Sequence, residues 1–547
     1  MVPVCRCEVR RCARPAAVTR LVRTFVADAD EVDVLLRPRN DIVAETPATV
    51  LDGSHRFELA EGPFTSYSRL VRISPSAEHQ ASRARSSAGA GGVTSRHQVT
   101  ETVEWRLAVP WFGPAFNVMV RRAMRTGRSG DGTQPVWAPP RRFTPRAATV
   151  MAMLAAAAML SGYLANAPSE LHTYAADEFG ADQAAQGVLG AVVRIGTLLA
   201  IGVSVLADRH GRRRVVAGAM GFGIAAAALA ALAPNMVWLG AFLLVGRTAN
   251  AALGATIVVM ALEEIPAGTR AWCLSVLAMS AALGAGVVVW LAPISDLAPW
   301  SWRMLFAFPL VALAAARPLL RRLPESRRFE RRGRNVTLSG YWRPIALLGA
   351  IYLAFGLFLG PIDWFRNEYL RDEHGFSAAL VSLFVLTTAT PAGLAVYAAG
   401  RLADSRGRRV ILAVASVAGL GSLAAMFNVS GAALWLLGLA GAMLSAGLLP
   451  ALGVYRGELF PTALRARAAT LTGAMGVVGA AIGILVVGRL RTAWGSFGDV
   501  IALAWVGPLL AAVVAVAWLT ERGGQELEEL HPADAPPDPE GPRSPSL

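Results

Sequence analysis

The sequence is poor in charge and contains no lysine. Only 16% of its 547 residues are charged, whereas soluble globular domains carry about 25%. All 52 basic residues are arginine, and their excess over the acidic residues gives a formal net charge of +14. Because the arginines cluster at the ends of long apolar runs, they indicate membrane topology and argue against nucleic-acid binding.

Cysteine is also scarce, with four residues in the chain. Cys5, Cys7 and Cys12 lie in the first twelve residues without a nearby histidine, and Cys273 lies in an apolar run. This spacing is too incomplete for a metal site, so we expect no metal and no cofactor. The sequence contains no nucleophile elbow, metal-ligand cluster or phosphate-binding loop, and it therefore gives no indication of an enzyme.

Long apolar runs dominate the chain after residue 146. We count twelve of them, each about twenty residues long, which is the length that a membrane-spanning helix requires. Lipid cannot satisfy backbone polar groups, so each run is expected to be helical. The expected spans are residues 147–166, 185–206, 215–233, 236–260, 270–292, 302–320, 344–364, 378–402, 410–427, 431–453, 466–489 and 498–519.

Two short motifs each occur twice in this apolar region. SVLADRHGRR (Ser204–Arg213) and GRLADSRGRR (Gly400–Arg409) share L-A-D-x-x-G-R-R, and their aspartates are 196 positions apart. EEIPAGTR (Glu263–Arg270) and ELFPTALR (Glu458–Arg465) share E-x-x-P-x-x-x-R at a spacing of 195 positions. Two unrelated motifs with nearly the same offset indicate a duplicated unit, which is typical of transporters built from two halves.

The distribution of arginine predicts the orientation in the membrane. The loops after the even-numbered spans carry arginines, whereas the opposite loops are short or acidic. By the positive-inside rule, both termini are expected to be cytoplasmic and the protein to lie in the cell membrane. The predicted order begins with a disordered N-terminus (1–20), a soluble domain (21–126) and a linker (127–146). An N-terminal six-helix half (147–320), a central cytoplasmic loop (321–343), a C-terminal six-helix half (344–519) and a disordered cytoplasmic tail (520–547) follow.

The expected soluble domain has no run long enough to span a bilayer. Alternating apolar and polar residues predict strands at Arg56–Ala60, Ser68–Ile73 and Val99–Val109. Glu61–Ile73 and Val99–Arg125 resemble strands and the closing helix of the helix-grip fold of polyketide-cyclase-like and lipid-transfer-like domains. That resemblance implies an apolar ligand between sheet and helix, and a soluble appendage without a ligand is the alternative.

With these spans and repeats, the chain resembles the major facilitator superfamily over about 375 of its residues. The D-R-x-G-R-R loop between the second and third spans is similar to the superfamily's signature, with Ser204 in place of the usual glycine. LPESRRF (Leu323–Phe329) and the E-x-x-P-x-x-x-R pair are similar to the sugar-porter and metabolite–proton symporter branches. The resemblance implies an all-α membrane protein with twelve transmembrane helices in two pseudo-symmetric six-helix halves, plus a small cytoplasmic α+β domain at the N-terminus.

The resemblance also implies a charge network that holds the two halves together on the cytoplasmic side. Carboxylates and guanidinium groups at helix ends can pair bidentately, and such pairs can separate as the halves move. A purely topogenic role for the arginines is the alternative. The expected gate residues are Asp208, Arg212, Glu263, Arg270, Asp404, Arg408, Glu458 and Arg465.

Two arginines lie in the middle of expected spans, where each costs about 2.5–3.5 kcal/mol on insertion scales. Arg247, in LLVGRTANAALG, resembles the family's fourth-helix motif, which implies a role in proton coupling. Arg194 has no such motif. It is expected to face the central cavity and attract an anionic group of the substrate, or else to pair with a carboxylate or a backbone carbonyl.

Carboxylates are rare in the expected spans. Glu170 and Asp363 lie near the expected external mouth, and either could take up a proton during transport if it is buried. An exposed acid at a loop end is the alternative for both. Trp290 and Trp364 could instead anchor the helices at the membrane interface. The side chains expected to line the cavity are Tyr163, Asn166, Trp290, Tyr352 and Trp364.

The sequence therefore predicts a monomeric transporter, and not an enzyme, that moves a small organic solute and protons across the lipid bilayer by alternating access. The solute could be carboxylated. The fifth span lacks the G-P-x-x-G-G signature of proton-linked drug antiporters, which disfavours efflux. The two alternatives are proton-linked efflux of an apolar natural product or drug, and a non-transporting membrane sensor that uses the soluble domain.

Overall fold

The structure is a computed structural model, and within some of its helices only the backbone is described. The described residues are 18–51, 53–75, 97–126, 135, 137–139, 141–265, 269–313, 323, 340–406, 408–448, 451–452, 455, 459–460 and 462–518. They form two compact units, one within residues 1–156 and 258–278 and the other within residues 157–257 and 279–547.

The first unit contains one antiparallel sheet. Its spatial strand order is β1-β6-β5-β4-β2, and β3 pairs with β4. The strands are β1 (Thr19–Ala27), β2 (Ala44–Glu45), β3 (Thr49–Leu51), β4 (Ser54–Glu61), β5 (Phe64–Pro75) and β6 (His97–Leu107). The three strands predicted from alternation are therefore confirmed as β4, β5 and β6, although β6 ends two residues earlier than predicted.

Two helices accompany the sheet. Helix α1 (Ala29–Leu36) follows β1 and begins after Asp28, whose side chain accepts a hydrogen bond from the backbone of Glu31 in a capping box. This cap supplies a partner for a free amide at the helix start. Helix α2 (Gly113–Thr126) follows β6, at the place where the helix-grip resemblance expects its closing helix.

The buried face of the sheet carries a group of charged side chains that we call the sheet cluster. Arg69, on β5, donates to both oxygens of Glu45 at 2.8 and 2.6 Å and to the carbonyl oxygen of Leu35 at 2.8 Å. Its guanidinium also lies 3.9 Å from the ring centroid of Phe57. The members of the sheet cluster are Arg23, Arg39, Asp41, Glu45, Tyr67, Arg69 and Glu101.

The sheet cluster is balanced in charge. Arg23 pairs with Glu101, and Arg39 donates to Asp41. The hydroxyl of Tyr67 donates to Glu45 at 2.6 Å, and burial together with that carboxylate raises the pKa of Tyr67 well above its usual value. Burial alone would lower the pKa of Arg39, but the hydrogen bond and charge of Asp41 raise it. A buried network in which each charge has a partner fixes one arrangement of the sheet face.

The rest of the described chain is helical. The first group of helices comprises α3 (Pro145–Phe179), α4 (Gln183–His210), α5 (Arg212–Ala231), α6 (Met236–Glu264), α7 (Arg270–Leu291) and α8 (Trp302–Ala307). The second comprises α9 (Trp342–Asp372), α10 (Ala378–Arg406), α11 (Arg408–Val414), α12 (Leu420–Met426), α13 (Gly431–Ser445), α14 (Thr462–Trp494), α15 (Phe497–Ala504) and α16 (Val506–Trp518). Short 3-10 segments follow α7 and α8, and a π-turn joins α11 to α12.

Many of these helices suit a bilayer. Within the described residues, nine helical segments are long and apolar enough to cross a membrane, and they fall at the first five expected spans and at the seventh, ninth, eleventh and twelfth. Shorter apolar helices at Trp302–Val311, Ala378–Gly393 and Gly431–Ser445 fall at the other three expected spans. The expectation of a largely helical membrane-integral protein is confirmed.

A glycine forms a sharp turn within the first repeated motif. Gly211 separates α4 from α5 and has φ 93°, a conformation that side-chain-bearing residues rarely adopt. The corresponding Gly407 lies outside the described residues.

Glycine also allows two pairs of helices to approach closely. A Cβ atom on Gly162 of α3 or on Gly284 of α7 would lie 1.8 Å from a carbonyl oxygen of the other helix. A Cβ atom on Gly356 of α9 or on Gly479 of α14 would likewise lie 2.1 Å from a carbonyl oxygen of the other helix. The two pairs occupy equivalent positions, 194 and 195 residues apart in the chain, which matches the offset of the repeated motifs.

Candidate functional site

Three of the charged side chains predicted to be functional, Glu170, Arg194 and Asp363, lie toward one end of the second unit. There α3 and α9 finish and α4 begins, and we call this the distal end. The helices α3 and α4 lie in the first of the two expected halves and α9 in the second. Polar contacts at the distal end therefore join the segments expected to form different halves.

Arg194 and Asp363 form an ion pair between α4 and α9. The Nη2 atom of Arg194 lies 2.8 Å from Oδ2 of Asp363, and the two side chains are 19% and 47% exposed. The hydroxyl of Ser169 donates to the same oxygen at 3.4 Å. Of the roles expected for Arg194, pairing with a carboxylate is the arrangement in this structure, and attraction of a substrate anion stays a prediction.

Arg247 has neutral partners. Its Nε donates to Oγ1 of Thr197 and its Nη1 to the carbonyl oxygen of Ala165, each at 3.0 Å. Neither partner offsets its charge. Arg247 also lines a small cavity together with Tyr163, whose hydroxyl donates to the carbonyl oxygen of Leu305 at 2.7 Å.

Glu170 is buried and is tied to α9. Its Oε1 lies 2.8 Å from Nη2 of Arg366, its Oε2 accepts from the amide of Asn367 at 2.5 Å, and Asn166 donates to Oε1 at 3.4 Å. The carboxylate is thus held between the repeats and is not an exposed acid at a loop end. Asn166, expected to line the cavity, lies beside it on α3.

The expected aromatic residues are in different surroundings. Trp364 is fully buried, donates from Nε1 to the carbonyl oxygen of Gln186 at 3.1 Å, and stacks on His172 with ring centroids 4.1 Å apart. Trp290 is 60% exposed and does not join this group, which agrees with an interfacial anchor. Tyr352 lies half-buried on α9, eleven residues before Asp363.

The structure adds partners that the sequence did not indicate. Gln186 donates to the buried Glu368 at 3.1 Å, and Arg371 pairs with Asp177 at 2.8 Å. These residues lie near the ends of apolar runs, where polar side chains are ordinarily exposed, so the sequence contained no signal for them. We call the following buried or half-buried side chains between the repeats the distal cluster: Glu170, His172, Gln186, Arg194, Asp363, Trp364, Arg366, Asn367 and Glu368.

Most of the expected cytoplasmic gate cannot be placed. The side chains of Asp208, Glu263, Arg270, Asp404, Arg408, Glu458 and Arg465 lie outside the described residues. Arg212 is half-buried at the start of α5. The gate therefore stays a prediction. Next to Glu263, the described Glu264 pairs with Arg146 at 3.2 Å.

A family model and a curated relative both match parts of the chain. The model described as Major Facilitator Superfamily matches residues 364–544. NiaP of Bacillus subtilis (strain 168), a protein assigned as a niacin/nicotinamide transporter, is 30% identical over 203 residues. That alignment covers 36% of this chain and 49% of NiaP, so the chain matches about half the length of this relative.

Solved transporter structures share the fold over a longer range. A variant of the nucleoside transporter NupG aligns with a TM-score of 0.60 at 14% identity, over 68% of this chain and 100% of NupG. The xylose transporter XylE from E. coli, in an inward open conformation, aligns with a TM-score of 0.57 at 18% identity, over 71% of this chain and 99% of XylE. The chain therefore has the fold of these transporters, and its residues 364–544 are similar to the Major Facilitator Superfamily model.

Proposed function

We propose that this protein is a secondary transporter, and not an enzyme, that carries a small carboxylated solute together with protons by alternating access. Its twelve expected spans would form two six-helix halves in the cell membrane, with both termini cytoplasmic. The nine long and three shorter apolar helices support this count. The equivalent glycine contacts of α3 with α7 and of α9 with α14 support the pairing of the halves.

The observation that carries the proposal is the ion pair of Arg194 with Asp363. It joins the two repeats, and its 2.8 Å contact involves side chains that are still partly exposed. A partly exposed ion pair can exchange one partner for a ligand of the same charge. The carboxylate of a solute can therefore take the place of Asp363 on Arg194.

The charge balance of the site favours an anion. Among the described side chains, three arginines (Arg194, Arg247 and Arg366) face two carboxylates (Glu170 and Asp363), with the buried Glu368 counted as a neutral acid. The excess is then one positive charge, and the hydrogen-bond partners of Arg247 among the described residues are neutral. An intramembrane cation without a counter-ion is costly, so a bound anion is stabilised at this site.

The same geometry supplies a route for proton coupling. When Asp363 accepts a proton, its attraction for Arg194 falls and the guanidinium becomes available to the solute carboxylate. One proton and one carboxylate then enter the site together, and its net charge does not change. Because the solute binds better when Asp363 is protonated, each ligand raises the affinity for the other.

The relative suggests a pair of probe solutes. NiaP is assigned to niacin and nicotinamide, which are a carboxylate and its neutral amide on the same pyridine ring. If Arg194 binds a carboxylate, nicotinate should be transported in preference to nicotinamide. The two compounds separate the contribution of charge from that of shape.

The proposal is tested by uptake of labelled nicotinate and nicotinamide into proteoliposomes with an imposed pH gradient. We expect acid-driven accumulation of nicotinate, and a decrease of about tenfold or more in Arg194→Gln, since a charge-assisted hydrogen bond contributes about 1.5–3 kcal/mol. Asp363→Asn should still exchange nicotinate across the membrane but should no longer accumulate it against a gradient. Arg343→Gln, which changes an exposed arginine at the other end of α9, is the matched control.

Three results would count against the proposal. Equal loss of nicotinate and nicotinamide uptake in Arg194→Gln would remove the role of that side chain in recognising an anion. Uptake of solute into vesicles that are more acidic inside than outside would indicate exchange of the solute for protons, as in proton-linked efflux. Binding of solutes without flux under any gradient would favour a sensor.

For the N-terminal region we propose a helix-grip domain attached to the gate. In the first unit, Thr149 of α3 donates to the carbonyl oxygen of Ala108 at 2.8 Å, and Phe143 contacts Trp272 of α7 with ring centroids 5.8 Å apart. Arg142 donates to the backbone of Asp41 in the sheet cluster at 2.6 Å. These contacts connect the sheet region to α3 and connect the segment before α3 to the start of α7, where the second repeated motif ends.

A further inference from the structure

Glu368 is a buried carboxyl group that the proposed coupling does not use. It lies on α9, four residues before the helix ends at Asp372, and it is 2% exposed. Its partner Gln186 is on α4, so the carboxyl group lies between the first repeat and the second. Any movement that separates these helices exposes it to water.

The hydrogen bonds of Glu368 are incomplete. Its Oε1 accepts from Nε2 of Gln186 at 3.1 Å, and Gln183 of the same helix also faces the carboxyl group. Within the described part of the chain, Oε2 has no hydrogen-bond partner. Two amides from α4 therefore provide neutral donors and no counter-charge.

The charged groups around Glu368 do not neutralise it. Asp372 lies on the same helix and repels a negative charge, while Arg491 of α14 attracts it. Arg491, however, forms its own ion pair with Glu373 at 3.3 Å. An ionised carboxylate buried without a dedicated partner is strongly disfavoured, so the closed arrangement favours the neutral acid.

His172, on α3, is a second buried titratable group near α9, and its surroundings also favour a neutral side chain. It is fully buried and stacked on Trp364. Its Nδ1 lies 3.1 Å from the carbonyl oxygen of Pro168, which can only accept, so Nδ1 carries the hydrogen. The Nε2 atom has no partner among the described residues. The neutral tautomer fits this environment, and an imidazolium would bury an unpaired charge.

We propose that Glu368 is a proton-binding site that controls closure of the distal end and is distinct from the coupling carboxylate Asp363. When the distal end is open, the hydrated carboxylate of Glu368 takes one proton from the water on that side. The neutral acid then allows α4 and α9 to close over it. On reopening, the same proton returns to the same water, so no net proton crosses the membrane through Glu368.

This inference uses only the alternating-access part of the proposed function. Asp363 has a cationic partner in Arg194, so it can be ionised or neutral in the closed state, as a coupling group requires. Glu368 has only neutral hydrogen-bond partners among the described residues and is compatible with closure mainly as the acid. Asp363 and Glu368 are five residues apart. The substitutions Asp363→Asn and Glu368→Gln are therefore expected to have different effects on closure of the distal end.

The experiment measures exposure of the distal interface. Ile484 of α14 is fully buried, and its Cγ2 would lie 2.7 Å from a Cβ atom on Gly190 of α4. Ile484→Cys, in a protein whose four native cysteines are replaced by serine, reports opening through its reaction with a membrane-impermeant maleimide. Labelling rates are corrected for the pH dependence of the thiol itself with a permanently exposed cysteine.

We expect the corrected labelling rate to increase with pH by up to about tenfold per pH unit, since closure is linked to one proton. In Glu368→Gln the rate should be low and independent of pH, because the amide resembles the neutral acid. Glu368→Asp should restore a pH dependence. Asp499→Asn, which changes an exposed carboxyl group at the start of α15, is the control and should leave the response intact.

The possible outcomes separate this inference from the proposed function. If Glu368→Gln keeps the normal pH response, or if the starting protein has none, Glu368 does not control closure, whatever the uptake measurements show. If the response disappears in Glu368→Gln while acid-driven uptake of nicotinate persists, both proposals are supported. A response that disappears only in Asp363→Asn would assign closure to the coupling carboxylate and overturn the inference.

Discussion

Two groups of buried charges differ in how completely they are paired. In the sheet cluster three arginines face three carboxylates, and Arg69 alone contacts Glu45 through two nitrogen atoms and also reaches Glu101. In the distal cluster, the described atoms Nε2 of His172, Oε1 of Gln186 and Oε2 of Glu368 are buried without a hydrogen-bond partner. Both clusters are buried, yet only the first has a partner for each of its charges.

The difference indicates what each cluster is for. A fully paired network resists change because breaking any pair leaves a buried charge behind. A partly paired network is less stable in any one arrangement and can convert to another when it gains a proton, a solute or water. We infer that the sheet cluster fixes one conformation and that the distal cluster separates two. The predictions below test this comparison, beginning with the largest expected effect.

Removing the central arginine of the sheet cluster should cause the greatest loss of stability. Arg69→Met leaves Glu45 and Glu101 buried with fewer partners, which we expect to lower the free energy of unfolding of the sheet by about 3–5 kcal/mol. Hydrogen exchange of peptides from β5 and β6 in the full-length protein measures this loss. Arg72→Met, on the exposed face of the same strand, should change the exchange little; similar effects of the two variants would refute the special role of the cluster.

In the distal cluster, the buried ion pair of Glu170 and Arg366 should contribute most to the free energy of closure. Arg366→Gln leaves Glu170 with amide donors only, and we expect the closed state to lose about 2–3 kcal/mol relative to the open state. The protein should stay folded, because Glu170 becomes hydrated when the repeats separate. The expected result is faster maleimide labelling of Ile484→Cys with an unchanged melting temperature. A decrease in melting temperature would instead show that this ion pair stabilises the folded state, as the ion pairs of the sheet cluster do.

The sheet cluster should also respond to alkaline pH through Tyr67. Its raised pKa means that the folded sheet favours the protonated phenol. That contribution is complete below the ordinary tyrosine pKa of about 10 and is lost as the pH rises toward the folded value. Tyr67→Phe should cost about 1.5–2 kcal/mol at neutral pH, because the hydrogen bond to Glu45 is removed. It should also abolish the tyrosine-dependent part of the alkaline loss, which hydrogen exchange at several pH values measures.

The smallest effect is expected at the exposed rim of the distal end. Arg371 pairs with Asp177 at 2.8 Å, but the aspartate side chain is more than half exposed. Because water screens such pairs, Arg371→Gln should change the free energy of closure by less than about 1 kcal/mol. Labelling of Ile484→Cys should therefore change by less than about fivefold. A larger change would show that the cation also acts through its contact with the ring of Tyr174, which lies 4.0 Å away.

Much of the fold could be predicted because it depends on local patterns. Apolar runs of bilayer length gave the positions of the long helices, and alternation gave β4, β5 and β6. The glycine of the first repeated motif forms a turn at Gly211, where φ is positive. Each of these features depends on a segment of the chain and on its solvent, so neighbouring residues are sufficient to indicate it.

The site was less predictable because its contacts are distant in sequence. Arg194 was recognised as a functional candidate from its cost in the membrane, but its carboxylate partner lies 169 positions away. Glu368 was missed altogether, since an acid near the end of an apolar run is ordinarily exposed. Its burial depends on the approach of α4, whose Gln186 lies 182 positions away.

The sequence by itself indicated a membrane protein, the positions of its long helices and two repeated motifs, because hydrophobic length and sequence repeats are properties of the chain alone. Tertiary structure alone decided which polar groups meet. The close packing of α3, α4, α9 and α14 removes water from Glu170 and Glu368, and among the described residues it pairs the first with Arg366 and gives the second an amide as its hydrogen-bond donor. That difference in partners, and not the residue type, is what distinguishes a paired carboxylate from one that must bind a proton.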